Sequence, residues 1–123
     1  MAGKNPIGWF EIHVHDIEKA KTFYGGVFGW EFKQSQAASG KYWNIFAGEN
    51  SIGGGFMKKS KPEHEGQSVI LYIETDDIDG MLLKINGGGG KMETPKTLIS
   101  ENAGYFALFK DPDNNLLGLW SKK

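Results

Sequence analysis

Apolar and polar residues alternate along Trp9-Phe10-Glu11-Ile12-His13-Val14, the two-residue period of a strand with one face turned to a core. At Asp16 the pattern changes, and Ile17, Ala20, Phe23 and Tyr24 follow at helical spacing. An offset of 61 residues carries Asp16 onto Asp77, and the same succession returns there. Ile70-Leu71-Tyr72-Ile73-Glu74-Thr75 is the second strand, and Ile78, Met81, Leu82 and Ile85 form the second helix face. Asp16 and Asp77 are natural N-caps, because a short carboxylate can accept from free amides of the first turn. Helix exits are expected at Gly25-Gly26 and at Gly87 to Gly90, where glycine supplies positive φ.

Three strands are predicted after each helix: 30–34, 42–47 and 51–58 in the first half, 91–98, 104–110 and 116–121 in the second. Asp111-Pro112-Asp113-Asn114-Asn115 is a hairpin turn by its residue types, and Gly48-Glu49-Asn50 is its counterpart. Aligning the halves sets Gly54-Gly55-Phe56 opposite Gly118-Leu119-Trp120. The expected architecture is α+β: a single domain of two βαβββ modules, about 7–58 and 68–121, joined by a polar linker at 59–67 that contains Pro62 and His64. One module alone leaves a sheet face uncovered, so the two are expected to form a cupped sheet around a shared concave surface.

Composition narrows the partners. Fourteen basic residues face 15 acidic ones in 123 residues, without a run of either sign, so neither a nucleic-acid stripe nor a membrane-binding patch is expected. No apolar run approaches the roughly 20 residues of a membrane span, and the first residues do not resemble a signal peptide, so a cytoplasmic location is expected. The absence of cysteine excludes disulfides, thiolate metal sites and a cysteine nucleophile. A small molecule or another protein is left as the partner.

The chain resembles the vicinal oxygen chelate superfamily, which includes glyoxalase I, extradiol dioxygenases and bleomycin-resistance proteins. The resemblance covers nearly the whole chain. It is carried by Asp16-Ile17-Glu18-Lys19-Ala20-Lys21-Thr22-Phe23-Tyr24, by Val27-Phe28-Gly29-Trp30, and by Phe109-Lys110-Asp111-Pro112-Asp113-Asn114-Asn115 leading to Gly118-Leu119-Trp120. It implies a glyoxalase/bleomycin-resistance-like fold, commonly a homodimer, and in metal-bearing members a cation held by His and Glu from the first and last strands of each module. Those positions fall here at Trp9, Gly54, Ile70 and Gly118, none of which carries a ligand atom. A slip of one residue meets Gly8, Phe10, Gly53, Gly55, Val69, Leu71, Leu117 and Leu119, which carry none either. No cofactor is expected.

Strand alternation places Glu11, His13, Tyr72 and Glu74 on the face shared by Trp9 and Ile70, while Phe10, Ile12, Val14, Leu71 and Ile73 pack beneath the helices. Charged groups on a partly buried face are costly unless paired, so this face reads as the lining of a site. Glu11 and His13 have the chemistry of an acid/base pair; a structural hydrogen-bonded pair is the alternative. With Glu74 they would make an unconventional one-His, two-carboxylate cation site. His15 and His64 are expected at the surface, and Gly53-Gly54-Gly55 is expected to mark a bulge or bend, since no Lys-Ser/Thr follows it. The aromatics Trp9, Trp43, Phe56, Tyr105 and Trp120 supply core or dimer interface, with Trp9, Trp43, Phe56 and Trp120 also available as apolar wall.

Three functions are consistent with this reading. The first is a small-molecule-binding protein, for sequestration or sensing, that lacks the usual metal ligands. Trp9, Trp43, Gly54, Phe56, Ile70, Tyr72, Glu74, Gly118 and Trp120 are its expected ligand-binding residues. The second is a metal-independent isomerase or lyase with Glu11 and His13 as catalytic groups. The third is a metal-dependent glyoxalase-like lyase or dioxygenase, with a divalent metal at Glu11, His13 and Glu74.

Overall fold

The computed structural model describes residues 4–36, 40–59 and 69–123. Most of the expected linker, including Pro62 and His64, lies outside the described residues. The elements run in the order β1 (Ile7–Val14), α1 (Ile17–Phe28), β2 (Glu31–Gln34), β3 (Tyr42–Phe46), β4 (Gly53–Lys58), β5 (Val69–Glu74), α2 (Ile78–Gly87), β6 (Lys91–Ser100), β7 (Gly104–Lys110) and β8 (Leu116–Ser121). The order is βαβββ twice. Two compact units result: Trp9–Ile70, called the N-terminal unit, and Leu71–Lys123 together with Met1–Gly8, called the C-terminal unit.

In the N-terminal unit the strands are ordered β2-β3-β4-β1, with β1 parallel to β4 and the remaining pairs antiparallel. Its core is Ile17, Ile45 and Phe56, surrounded by Phe10, Ile12, Val14, Ala20, Tyr24, Trp30 and Phe32. The even-numbered face of β1 therefore packs under α1, as alternation requires. The C-terminal unit repeats the plan as β5-β8-β7-β6, with β5 parallel to β8. There Ile78, Leu82, Ala107, Phe109 and Leu119 form the core, joined by Ile73, Met81 and Ile85. Leu71, expected beneath the helix, is instead more than a third exposed.

Local chemistry accounts for the helix starts. Asp16 accepts from the Lys19 amide at 3.1 Å, and Asp77 accepts from the Gly80 amide at 3.0 Å. The expected exit of α1 at Gly25-Gly26 is corrected: the helix runs through both glycines to Phe28. It stops at Gly29, which takes the left-handed conformation (φ 74°) and donates its amide to the Gly25 carbonyl. In the hairpin between β7 and β8, Asp111 accepts from the amides of Asp113 and Asn115 and from the Asn115 side chain. The side-chain bond from Asn115 leads the group of contacts that hold the Asp111 carboxyl below its usual range.

Register supplies a second correction. Glu11 lies opposite Gly55 and Ile12 opposite Phe56, whereas Tyr72 lies opposite Gly118 and Ile73 opposite Leu119. The 61-residue offset between Glu11 and Tyr72 thus makes Gly55 the counterpart of Gly118, and Phe56 the counterpart of Leu119. The alignment of Gly54 with Gly118 is one residue out. A slip of one reverses the face: a side chain at Gly54 would meet the Phe10 ring on the helix side.

Candidate functional site

The site is built on the odd-numbered face of β1. Trp9, Glu11 and His13 project from it, and β4 presents Gly53, Gly55 and Met57 beside them in register. From β3, Tyr42 reaches back across the glycines. A side chain at Gly55 would occupy the space of the Tyr42 ring, and one at Gly53 would press on the Trp9 ring. The glycine run therefore lets two aromatic rings lie flat over a strand. Neither a bulge nor a backbone–ligand contact is needed to explain it.

With the rings in place, four polar groups form a chain. Trp9 Nε1 donates to the Tyr42 hydroxyl at 2.7 Å. The hydroxyl oxygen is thereby used as an acceptor, and its own proton goes to the Glu11 carboxylate, with which Tyr42 is hydrogen-bonded. Glu11 Oε2 lies 2.8 Å from His13 Nε2. Burial pushes the Tyr42 phenol far above its usual value; the Glu11 charge adds to the rise, and the Trp9 bond opposes it.

Glu11 is only 8% exposed, and the His13 side chain 5%. The Glu11 carboxylate thus holds the imidazole by Nε2. That leaves Nδ1. Among the described residues it is the buried side-chain atom that no hydrogen-bond partner reaches. A buried polar atom without a partner costs about 1–3 kcal/mol, so its retention calls for an explanation.

The other expected residues are distributed differently. Phe56 is fully buried against the Tyr24 and Phe32 rings on the helix side. It is core and does not share a face with Glu11, which corrects its expected place in a site wall. The same holds for Gly54. Trp43 also packs at the margin of that core, with the Lys21 ammonium 4.4 Å from its ring centre. It lines a cavity of about 500 Å³ at the start of α1, together with His15, Asp16, Glu18, Gln34 and Lys58. That cavity is open to solvent and includes neither Glu11 nor His13. Two of its polar residues are already engaged: Asp16 caps the helix, and His15 Nδ1 lies 3.3 Å from the Lys59 carbonyl.

On β5 and β8, Tyr72, Glu74, Gly118 and Trp120 share one face, with Ile70 in the same alternation. The Tyr72 ring lies over Gly118, much as Tyr42 lies over Gly55. Trp120 Nε1 donates to the Ala103 carbonyl at 2.7 Å, which fixes its indole. The Glu74 carboxylate rests where a Gly8 side chain would be, and the Glu74 backbone is bound by Asn5 and Pro6. Among the described residues, no three His, Asp or Glu side chains are gathered as cation ligands. Tyr42 was absent from the sequence-derived set; an aromatic on one strand facing a glycine on the next was the available signal.

The repeated βαβββ plan defines a class, and comparison identifies it. The chain belongs to the Glyoxalase/Bleomycin resistance protein/Dioxygenase superfamily, whose family model matches residues 6–119. A relative named "Putative glyoxylase CFP32" in Mycobacterium bovis is 30% identical over 115 residues, covering 91% of this chain and 44% of that protein. The chain therefore spans less than half the length of that relative. A "Glyoxylase-like domain-containing protein" of Didymella fabae is 27% identical, covering 89% of this chain and 88% of the relative. Among solved structures, hypothetical protein BH1468 of Bacillus halodurans superposes with a TM-score of 0.74 at 14% identity, covering 98% of this chain and 96% of that one. Methylmalonyl-CoA epimerase of Mycobacterium tuberculosis gives 0.73 at 14% identity, covering 100% and 93%. Both likenesses are likenesses of fold.

No helix among the described residues is long and apolar enough to cross a membrane.

Proposed function

We propose that this protein is a metal-independent, small-molecule-binding member of its superfamily, with a ligand contacting His13 Nδ1 beside the Trp9 and Tyr42 rings. The observation that carries the reading is the buried, partnerless Nδ1 at the end of a chain whose other members are all hydrogen-bonded. The residues at the superfamily's metal positions do not fit a cation. The positions that the family resemblance assigns to the metal fall, in this reading and with the register of β4, at Trp9, Gly55, Ile70 and Gly118, and none offers a hard or borderline donor. Two aromatic rings with one placed polar atom suit a small, partly aromatic ligand. Thermal-shift screening tests this: small aromatic compounds should raise the melting temperature of the wild-type chain and fail to do so for His13→Gln. Stabilisation by sugar phosphates alone, or equal stabilisation of the variant, contradicts it.

One observation favours a second reading, proton transfer. Glu11 holds the imidazole by Nε2 and leaves Nδ1 as a base, the arrangement by which a carboxylate orients a catalytic histidine. Nδ1 would take a proton from a carbon next to a carbonyl, leaving an enolate and an imidazolium, and return it to the other face. Methylmalonyl-CoA epimerase, a fold neighbour, is named for an isomerisation. Deuterium incorporation into methylmalonyl-CoA in D₂O, lost in His13→Gln, is expected on this reading; no incorporation above the buffer rate rejects it for that substrate.

A further inference from the structure

The open cavity at the start of α1 carries charge that the fold itself leaves unpaired. One step beyond the Tyr42–Met57 pair, the Lys58 amide donates to the Lys41 carbonyl at 2.9 Å. The two lysines are therefore directly opposite at the end of the β3–β4 ladder and project from the same face. On the other flank of Lys58 stands Val14, which cannot neutralise it. Among the described residues, neither ammonium takes part in an ion pair. Like charges directly opposite one another destabilise a sheet, so the pair calls for an anion between them.

A cavity of about 530 Å³ opens at this pair, lined by His15, Gly40, Lys41 and Lys58, with no carboxylate among its described lining residues. It adjoins the cavity of about 500 Å³ described above, with which it shares His15, Gly40 and Lys58. Either volume suits a small ligand, for which ~300–1,000 Å³ is usual. The acids of the first cavity are occupied: Asp16 caps α1, and Glu18 lies 3.6 Å from the Lys21 ammonium. Gln34 is occupied too, donating to the Gly40 carbonyl at 2.9 Å. Trp43 adds a flat apolar wall. We propose that the adjoining cavities form a second binding site, for a phosphate monoester whose phosphate bridges Lys41 and Lys58 while its organic part lies toward Trp43. A phosphate carries about −1.5 to −2 charge at pH 7, enough to answer both ammonium groups, whereas a carboxylate answers one.

The test titrates phenyl phosphate and benzoate at neutral pH into the ¹⁵N-labelled wild-type chain, Lys41→Gln and Lys58→Gln, with Lys84→Gln on the exposed side of α2 as the charge control. Phenyl phosphate should bind at least ten times more tightly than benzoate, shifting the amides of Gly40, Lys41 and Lys58 and leaving that of His13 in place. Its affinity should fall at least tenfold in Lys41→Gln and in Lys58→Gln and stay unchanged in Lys84→Gln. Without ligand, the first two variants should melt no lower than the wild-type chain, since each relieves a repulsion. Four results overturn the proposal. An equal loss in Lys84→Gln reduces the effect to overall charge, and equal affinity for benzoate removes phosphate from the assignment. Shifts at His13 in place of Gly40 put the ligand elsewhere, and a lower melting temperature in either variant shows the lysines already paired within the chain. The His13 reading stands or falls on its own test, because the two sites share no residue.

Discussion

The two units share one scaffold and differ in what they place on it. Row by row, Trp9, Glu11, His13 and Tyr42 in the N-terminal unit correspond to Ile70, Tyr72, Glu74 and Phe106 along β5 and β7. Gly55 corresponds to Gly118, and in both cases a tyrosine ring covers the glycine. The helix-facing rows correspond too, Ile12 with Ile73 and Phe56 with Leu119. What differs is polarity. Phe106 has no hydroxyl to pass on a proton, and Tyr72 has no charge to hold an imidazole. The comparison teaches that the fold needs the apolar rows and the glycine, whereas the Trp9–Tyr42–Glu11–His13 chain is an addition that the fold does not require.

The largest effects should be alike in both units. Phe56→Ala should cost about 3–5 kcal/mol and Leu119→Ala about 2–5 kcal/mol in denaturant unfolding, because each empties the centre of its core. A cost below about 1 kcal/mol at either position would break the equivalence. Next in size, the units should diverge. Glu11→Gln removes a charge-assisted bond and should cost about 1.5–3 kcal/mol, while Glu74→Gln, whose carboxylate has no such role, should stay within about 0.5 kcal/mol. Equal costs would show that the polar chain is no special feature of the N-terminal unit.

The apolar half of this comparison is legible in the sequence. The alternation from Trp9 to Val14, its return at Ile70, and the two capping aspartates are local signals, each depending on neighbours a few residues away. The register of β4 is not legible, because Gly53-Gly54-Gly55 carries no side chains whose pattern could say which residue faces in. The end of α1 was misplaced for a related reason. Glycine marks an exit only where positive φ is required, and Gly29 meets that need while Gly25 and Gly26 do not. Glu11 and His13 were readable as a pair, being two apart on one strand. Tyr42 was not, since its part depends on a crossing over Gly55 that only the paired strands reveal.

Smaller effects sharpen the comparison further. Asp16→Ala and Asp77→Ala should each cost about 1 kcal/mol, the usual value for a lost N-cap; a difference between them much beyond that would mean that one cap does more than close its helix. The alkaline limb separates Tyr42 from the rest. Its phenol is raised in the folded chain, so its contribution is intact below the ordinary tyrosine value of about 10 and is lost above it, where only the unfolded chain releases the proton. Above pH 10 the wild-type chain should therefore lose stability more steeply than Tyr42→Phe, by up to about 1.4 kcal/mol per pH unit. Parallel slopes would place Tyr42 in solvent.

Glu11 holds the His13 ring by Nε2 and leaves Nδ1 without a partner among the described residues. Long-range ¹H–¹⁵N spectra of the unliganded protein at neutral pH test it most directly. A proton on Nε2, protected from exchange by its bond to Glu11, is expected. A proton on Nδ1 with Nε2 bare, or a ring exchanging freely between tautomers, would contradict it.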